Sequence, residues 1–181
     1  MEPRSHEGHG ENLCSARTMI EEVRDADLFV IQADAIVNPV NCKGVMGKGI
    51  ALEMKKRYPR SYRAYKAACE WSHLRPGVLL YVAGQGGERS VVHFPTKDHW
   101  TQPSRLEWIQ AGLEDLQRHY AAWGLKSIAM PQLGCGLGGL NWDDVRPLFF
   151  AALEPEPLKV IVSLSTADLY EGCAGQRSLF R

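Results

Sequence analysis

The chain has 181 residues, enough for one domain with a substantial core and short of what two usually need. Lys plus Arg equal Asp plus Glu, 21 against 21, which excludes a global field that draws in polyanions; any contact with nucleic acid must use a local patch. Cys14, Cys42, Cys69, Cys135 and Cys173 are odd in number, far apart and without a CxxC pair, which argues against a disulfide framework or zinc site and for a reducing compartment.

Residues 1–17 are rich in Gly, Glu and His, contain no apolar run fit for a signal peptide, and read as a disordered tail. His6 and His9 belong to that solvated tail rather than to a metal site. The folded unit is expected over 18–170, with a flexible tail at 171–181. No segment is long and apolar enough to span a membrane, and a cytoplasmic location is expected.

Short Val-, Ile- and Leu-rich runs predict strands at Met19–Val23, Ala35–Val37, Val78–Ala83, Val91–Phe94, Ser127–Met130 and Lys159–Leu164. Amphipathic stretches predict helices at Gly49–Tyr58, Arg60–Trp71, Ser104–Trp123 and Trp142–Leu153. In the third helix Leu106, Ile109, Leu113, Leu116 and Tyr120 make one apolar face. Ser104 and Glu107 have capping-box spacing there, and Gly124 offers a stop. Asn141 is placed to cap the fourth helix, and Pro147 costs it a hydrogen bond. Strands separated by helices imply an α/β layered fold with a mostly parallel sheet.

Three segments carry chemistry. The strand at Ala35 runs into Asn38 and Asn41 and then a glycine-containing loop, Cys42–Gly49. Strand ends on open sheets are where ligands bind, an amide side chain both donates to and accepts from sugar hydroxyls, and glycines bring backbone N–H groups close to phosphate. The stretch Pro131–Leu140 has four glycines in the six residues 134–139, after a strand and before a capped helix, where free N–H groups suit a pyrophosphate. Its Gly134-x-Gly136-x-x-Gly139 spelling matches the dinucleotide fingerprint literally. It lies near the chain's end, however, and has no suitably placed acidic residue about 20 positions on. The first loop fails as a P-loop, with Cys42 where glycine is needed and Gly49 in place of Ser or Thr. The third segment is Val91–Trp100, in which Lys97 follows a buried strand and can reach the same sheet rim. Held near apolar walls, a lysine can lose its proton and act as a nucleophile, or stay charged beside an oxyanion. His93 reads as packed in its strand and His99 as exposed.

Together these segments resemble the macrodomain family, whose members bind ADP-ribose, over most of 19–164. Asp34-Ala-Ile-Val-Asn-Pro-Val-Asn41 looks like the family's first ligand strand, Gly44–Ala51 like its first loop, and Gly134–Gly139 like its phosphate loop. Met46–Ala51 combined with Pro95-Thr-Lys-Asp-His-Trp100 and Ser104-Arg-Leu-Glu107 is similar to the DarG branch, DNA ADP-ribosyl glycohydrolases that remove ADP-ribose placed on thymine by a DarT toxin.

The resemblance implies a three-layer α/β/α fold around a central, mostly parallel mixed sheet of about six strands. Asp27 and Leu28 would read adenine, and Asn41 would hold the distal ribose and take part in catalysis. Val45, Met46 and Gly47 would line the ribose and diphosphate. Gly134, Cys135, Gly136, Leu137 and Gly138 would wrap the phosphates, and Lys97 would be catalytic. Two departures stand out. Gly138 falls where the protein-directed glycohydrolases carry an aspartate, and no stretch of the 181 residues reads as DarG's toxin-binding domain, so an isolated macrodomain or a stand-alone relative with another partner is expected. No metal and no cofactor is expected.

The expected partner is ADP-ribosylated DNA, in single-stranded form, with a DarT-like toxin as the source of the modification; a monomer is expected. Lys55, Lys56, Arg57, Arg60, Arg63 and Lys66 offer six basic residues within twelve, either a solvated helix face or a track for a phosphate backbone. A pure ADP-ribose reader and an ADP-ribosyl-protein hydrolase are the rival functions.

Overall fold

The computed structural model describes residues 20–164; the expected tails, and Met19 of the first predicted strand, lie outside them. The elements in chain order are β1 (Ile20–Arg24), β2 (Ala35–Asn41), α1 (Gly49–Arg57), α2 (Pro59–Glu70), β3 (Leu80–Val82), β4 (Ser90–Lys97), α3 (Leu106–His119), β5 (Ser127–Pro131), α4 (Trp142–Leu153) and β6 (Lys159–Leu164).

Alternation along the central strands sets the layers. In a strand, successive side chains point to opposite faces. Ala35 and Val37 of β2, Val92 and Phe94 of β4, and Ile128 and Met130 of β5 join the cluster that holds Ile109, Leu113 and Leu116 of α3 and Val145 and Phe149 of α4. Ile36, Val91 and Ala129, each offset by one residue from these positions, pack on the opposite face against Met54 of α1 and Leu28. Val40 packs beside Tyr65 of α2. Helices therefore cover both faces, giving the expected three-layer α/β/α arrangement.

The six-stranded sheet has the order β1-β6-β5-β2-β4-β3. Among the described residues only β3 runs antiparallel to its neighbour, β4; the other pairings are parallel. Neighbouring strands β2 and β5 send their chains to opposite faces, β2 into α1 and β5 into α4. That reversal is the topological switch point of an open α/β sheet, where a crevice forms at the strands' carboxyl ends. The ladder between β2 and β5 stops at Ile36 with Ala129, and beyond it β2 is bonded only to β4. This opening explains why Pro39 is tolerated in a central strand: its missing N–H falls where the β5 ladder has ended. It also carries β2 four residues past its predicted end.

The expected capping box does not form. The N-cap of α3 is Arg105, without a side-chain bond, and the helix ends at His119. Ser104 is instead buried, its backbone N–H donating to the Gly138 carbonyl at 2.9 Å. Asn141 does cap α4, its Oδ1 accepting from the Asp143 N–H at 3.1 Å. Among the described residues no helix is long and apolar enough to cross a membrane.

Candidate active site

The crevice between β2 and β5 is a cleft of about 520 Å³. Its floor is made by Pro39–Asn41 at the end of β2 and by Pro131 and Gln132 at the end of β5. One wall is the first loop and the start of α1, and another is the glycine loop at Gly134–Gly138. Lys97, Trp100 and Thr101 complete it from the end of β4.

A register shift brings Asn41 and Lys97 side by side. Val40 pairs with Pro95, but the next pair is Asn41 with Lys97, so Thr96 is bulged out of the ladder. Bulges re-aim side chains at strand ends next to active sites. Lys97 crosses the cleft, its Nζ donating a hydrogen bond to the Leu137 carbonyl on the glycine loop. Partial burial lowers the Lys97 pKa below the ordinary lysine value, because a poorly solvated ammonium is penalised.

Asn41 is mostly committed to the first loop. Its Oδ1 accepts from the Lys43 N–H at 2.9 Å and the Val45 N–H at 3.4 Å, and its Nδ2 donates to the Val45 carbonyl at 2.7 Å. The Tyr65 hydroxyl lies 2.8 Å from the Asn41 carbonyl and 3.2 Å from Oδ1. An amide nitrogen carries two donors, so one N–H of Asn41 remains for a ligand.

The glycine loop is closed by Leu140 N–H to the Gly134 carbonyl and Gly139 N–H to the Gly136 carbonyl, each at 3.0 Å. Gly134 and Gly139 have φ of +74° and +78°, a region that favours glycine. The N–H groups of Gly136, Leu137 and Gly138 take no part in these closures. They are the ones a phosphate can use.

The structure does not bring every expected residue to the cleft. Asn41, Val45, Gly47, Lys97, Gly134, Gly136, Leu137 and Gly138 line it. Met46 does not: its side chain is buried under the first loop beside Val40 and Tyr65. Cys135 turns to the main core, with Sγ 3.5 Å from the Leu133 carbonyl. Leu28 is buried against Ile36 and Met54, and exposed Asp27 caps its own turn by accepting from the Phe29 N–H at 2.9 Å. Neither residue lines the cleft, but Ile50, which does, packs on the same cluster as Leu28. Residue identity had not pointed to the buried Thr96 and Gln132, nor to Trp100 as a wall; adjacency to Lys97 and to the glycine loop was the available signal.

His93 is buried, as expected. Asn38 Nδ2, which can only donate, lies 3.2 Å from its Nδ1, so the proton sits on Nε2, facing Ser61 Oγ at 2.7 Å and the Ser61 carbonyl at 3.2 Å. Burial lowers its pKa to about 4. The basic run is largely partnered. Lys56 and Arg57 pair with Glu53, Lys66 with Glu70, Lys55 lies over the Tyr62 ring, and Arg60 donates to the Ala83 carbonyl.

With this geometry in view, comparison with known proteins is decisive. A family model for the Macro domain matches residues 37–149, the span from β2 to α4. The chain belongs to the Macro domain family. A DNA ADP-ribosyl glycohydrolase of Mycobacterium tuberculosis is 45% identical over 133 residues, 72% of this chain and 38% of the relative. The present chain thus spans well under half the length of that relative. The solved macrodomain of Mycobacterium tuberculosis DarG superposes with a TM-score of 0.76 at 42% identity, covering 80% of this chain and 97% of that one. A Thermosipho africanus DarTG in complex with ADP-ribose gives a TM-score of 0.77 at 30% identity, covering 83% and 43%. The macrodomain identity accounts for the sheet order, for the cleft at its switch point and for both loops.

Proposed function

We propose that this macrodomain binds ADP-ribose in the switch-point cleft and hydrolyses the N-glycosidic bond that joins it to a DNA base, with thymine as the base and a DarT-like toxin as its source. The observation that carries this reading is Lys97, placed by a bulge beside Asn41 and reaching across the cleft to the phosphate loop. A protein that only reads ADP-ribose has no need of an amine there. The names and identities of the DarG relatives support the same substrate class.

In this account the N–H groups of Gly136, Leu137 and Gly138 hold the diphosphate, Val45 and Gly47 flank it, and the free N–H of Asn41 meets a hydroxyl of the distal ribose. Asp27 and Leu28 serve the adenine end, beyond Ile50. Fixing the ligand at several points sets the anomeric carbon against Lys97, which is catalysis by positioning. Water adds to that carbon, the carbon–nitrogen bond breaks, and the base leaves with the bonding electrons and takes up a proton. Lys97 acts either as the ammonium that stabilises the departing base or as a neutral amine that attacks first; its lowered pKa serves the second role. Borohydride trapping during turnover separates them, since only the amine route gives a Lys97 adduct.

The local partnering of the basic run fits the solvated-face alternative and so favours one competing reading, release of ADP-ribose from protein. Incubation with thymine-linked and glutamate-linked ADP-ribose decides between them.

A further inference from the structure

We infer that Trp100 is the stacking platform for the nucleobase that carries the ADP-ribose, a specificity determinant on the leaving-group side of the cleft; this rests on the functional reading above. The chain turns sharply after Lys97. Asp98 is tied back to the first loop by the Cys42 N–H to its carbonyl at 3.0 Å and by Lys43 Nζ to its carboxylate at 3.2 Å. The Gln102 N–H closes the turn on the His99 carbonyl at 3.1 Å. His99 is fixed in turn, its Nδ1 lying 2.7 Å from Thr101 Oγ1. The Trp100 indole stacks on this anchored imidazole with ring centroids 3.8 Å apart and planes 29° from parallel.

The result is an oriented indole that is 48% exposed while forming part of the cleft wall. Tryptophan is ordinarily well buried, and its large flat surface is an energetic asset only when covered. Across the cleft Leu137 is 66% exposed, and its carbonyl accepts the Lys97 ammonium. Two uncovered apolar side chains therefore flank the position of Lys97. The diphosphate and first ribose are accounted for by the two loops, and the adenine end lies toward Ile50 and Leu28. What remains for Trp100, three residues beyond the group that meets the bond to be broken, is the leaving group. A planar base matches a planar platform, and such stacking is worth about 1–3 kcal/mol per base.

The test uses the full chain and two backgrounds. In the active protein, Trp100→Ala is expected to lower kcat/KM on a thymine-linked ADP-ribosyl oligonucleotide by roughly 5- to 150-fold, the stacking range converted to a rate ratio. Trp100→Phe, which keeps a ring, should restore most of that loss. The Kd for free ADP-ribose should change much less, and the thermal unfolding midpoint should stay near that of the parent. In the inactive Lys97→Ala background, the labelled oligonucleotide should bind more tightly than free ADP-ribose, and adding Trp100→Ala should erase that difference. Unchanged cleavage in Trp100→Ala, or an equal loss of ADP-ribose affinity, would overturn the assignment; the second outcome would move Trp100 into the ADP-ribose pocket. If the parent protein leaves the thymine-linked substrate intact, the functional reading fails. The affinity comparison in the Lys97→Ala background then still decides whether Trp100 holds the base.

Discussion

Gly138→Ala should weaken ADP-ribose binding on the order of 100-fold or more while leaving the core intact. A Cβ on Gly138 would collide with the Gly134 carbonyl oxygen, and would lie 2.7 Å from the Gly134 carbonyl carbon and 2.5 Å from Ser104 Oγ. Contacts under 3.0 Å are essentially never seen for real Cβ atoms, so something must move. The obstacles are the backbone of the same loop and a buried serine whose own N–H is bonded to Gly138, so the loop itself must open. Losing one or two backbone N–H bonds to a charged phosphate, about 1.5–3 kcal/mol each, costs on the order of 100-fold in affinity, and overpacking a tight site costs about 1–3 kcal/mol of stability. Calorimetric titration with ADP-ribose should therefore show at least that loss of affinity, and urea unfolding a decrease within that range. Gly47→Ala is the comparison, since its added Cβ meets only Val45 Cγ1 at 4.0 Å and leaves the unliganded fold unstrained. Normal ADP-ribose affinity in Gly138→Ala would refute the assignment of this loop as the phosphate cradle.

Other outcomes follow from the same geometry. Lys97→Ala should reduce turnover by about 10²–10⁴-fold, the usual worth of one positioned acid–base or nucleophilic group, with ADP-ribose affinity changed far less, as single-turnover kinetics and calorimetry will show. Asn41→Ala should weaken both binding and the fold, by about 1–3 kcal/mol in urea unfolding, because it orphans the donors and acceptors that close the first loop. His93 makes the fold acid-sensitive. Its folded pKa, about 4, lies below the ordinary 6.5, so the unfolded chain takes up the proton first and stability is lost as pH falls through that window. Between about pH 7.5 and about pH 4.5 this one group should remove on the order of 2 kcal/mol, and His93→Gln should show a correspondingly flatter pH dependence; parallel curves would contradict it.

Much of this fold was legible because its signals are local. The α4 boundaries, Trp142–Leu153, and those of β6, Lys159–Leu164, coincide with the apolar periodicity and with the Asn141 cap. Capping-box spacing says nothing of tertiary demand: Ser104 is buried under the glycine loop, and α3 begins two residues later. β2 runs four residues past the expected Val37, through Pro39, because its ladder on the β5 side has already ended there, which only the sheet pairing shows. In the site, the two glycine loops and Lys97 stood out by composition and position. For Met46 and Cys135, whose side chains pack toward the core, membership of a loop does not tell side-chain direction. In the basic run, Glu53 and Glu70, one helical turn away, partner Lys56, Arg57 and Lys66.

The central claim is that Lys97 at the switch-point cleft releases ADP-ribose from a base. The most direct measurement incubates the protein and its Lys97→Ala variant with a thymine-linked ADP-ribosyl oligonucleotide and with a glutamate-linked ADP-ribosyl peptide, and quantifies free ADP-ribose. Release from the oligonucleotide alone, lost in the variant, is the predicted result. Release from the peptide alone, or equal activity in the variant, would contradict it.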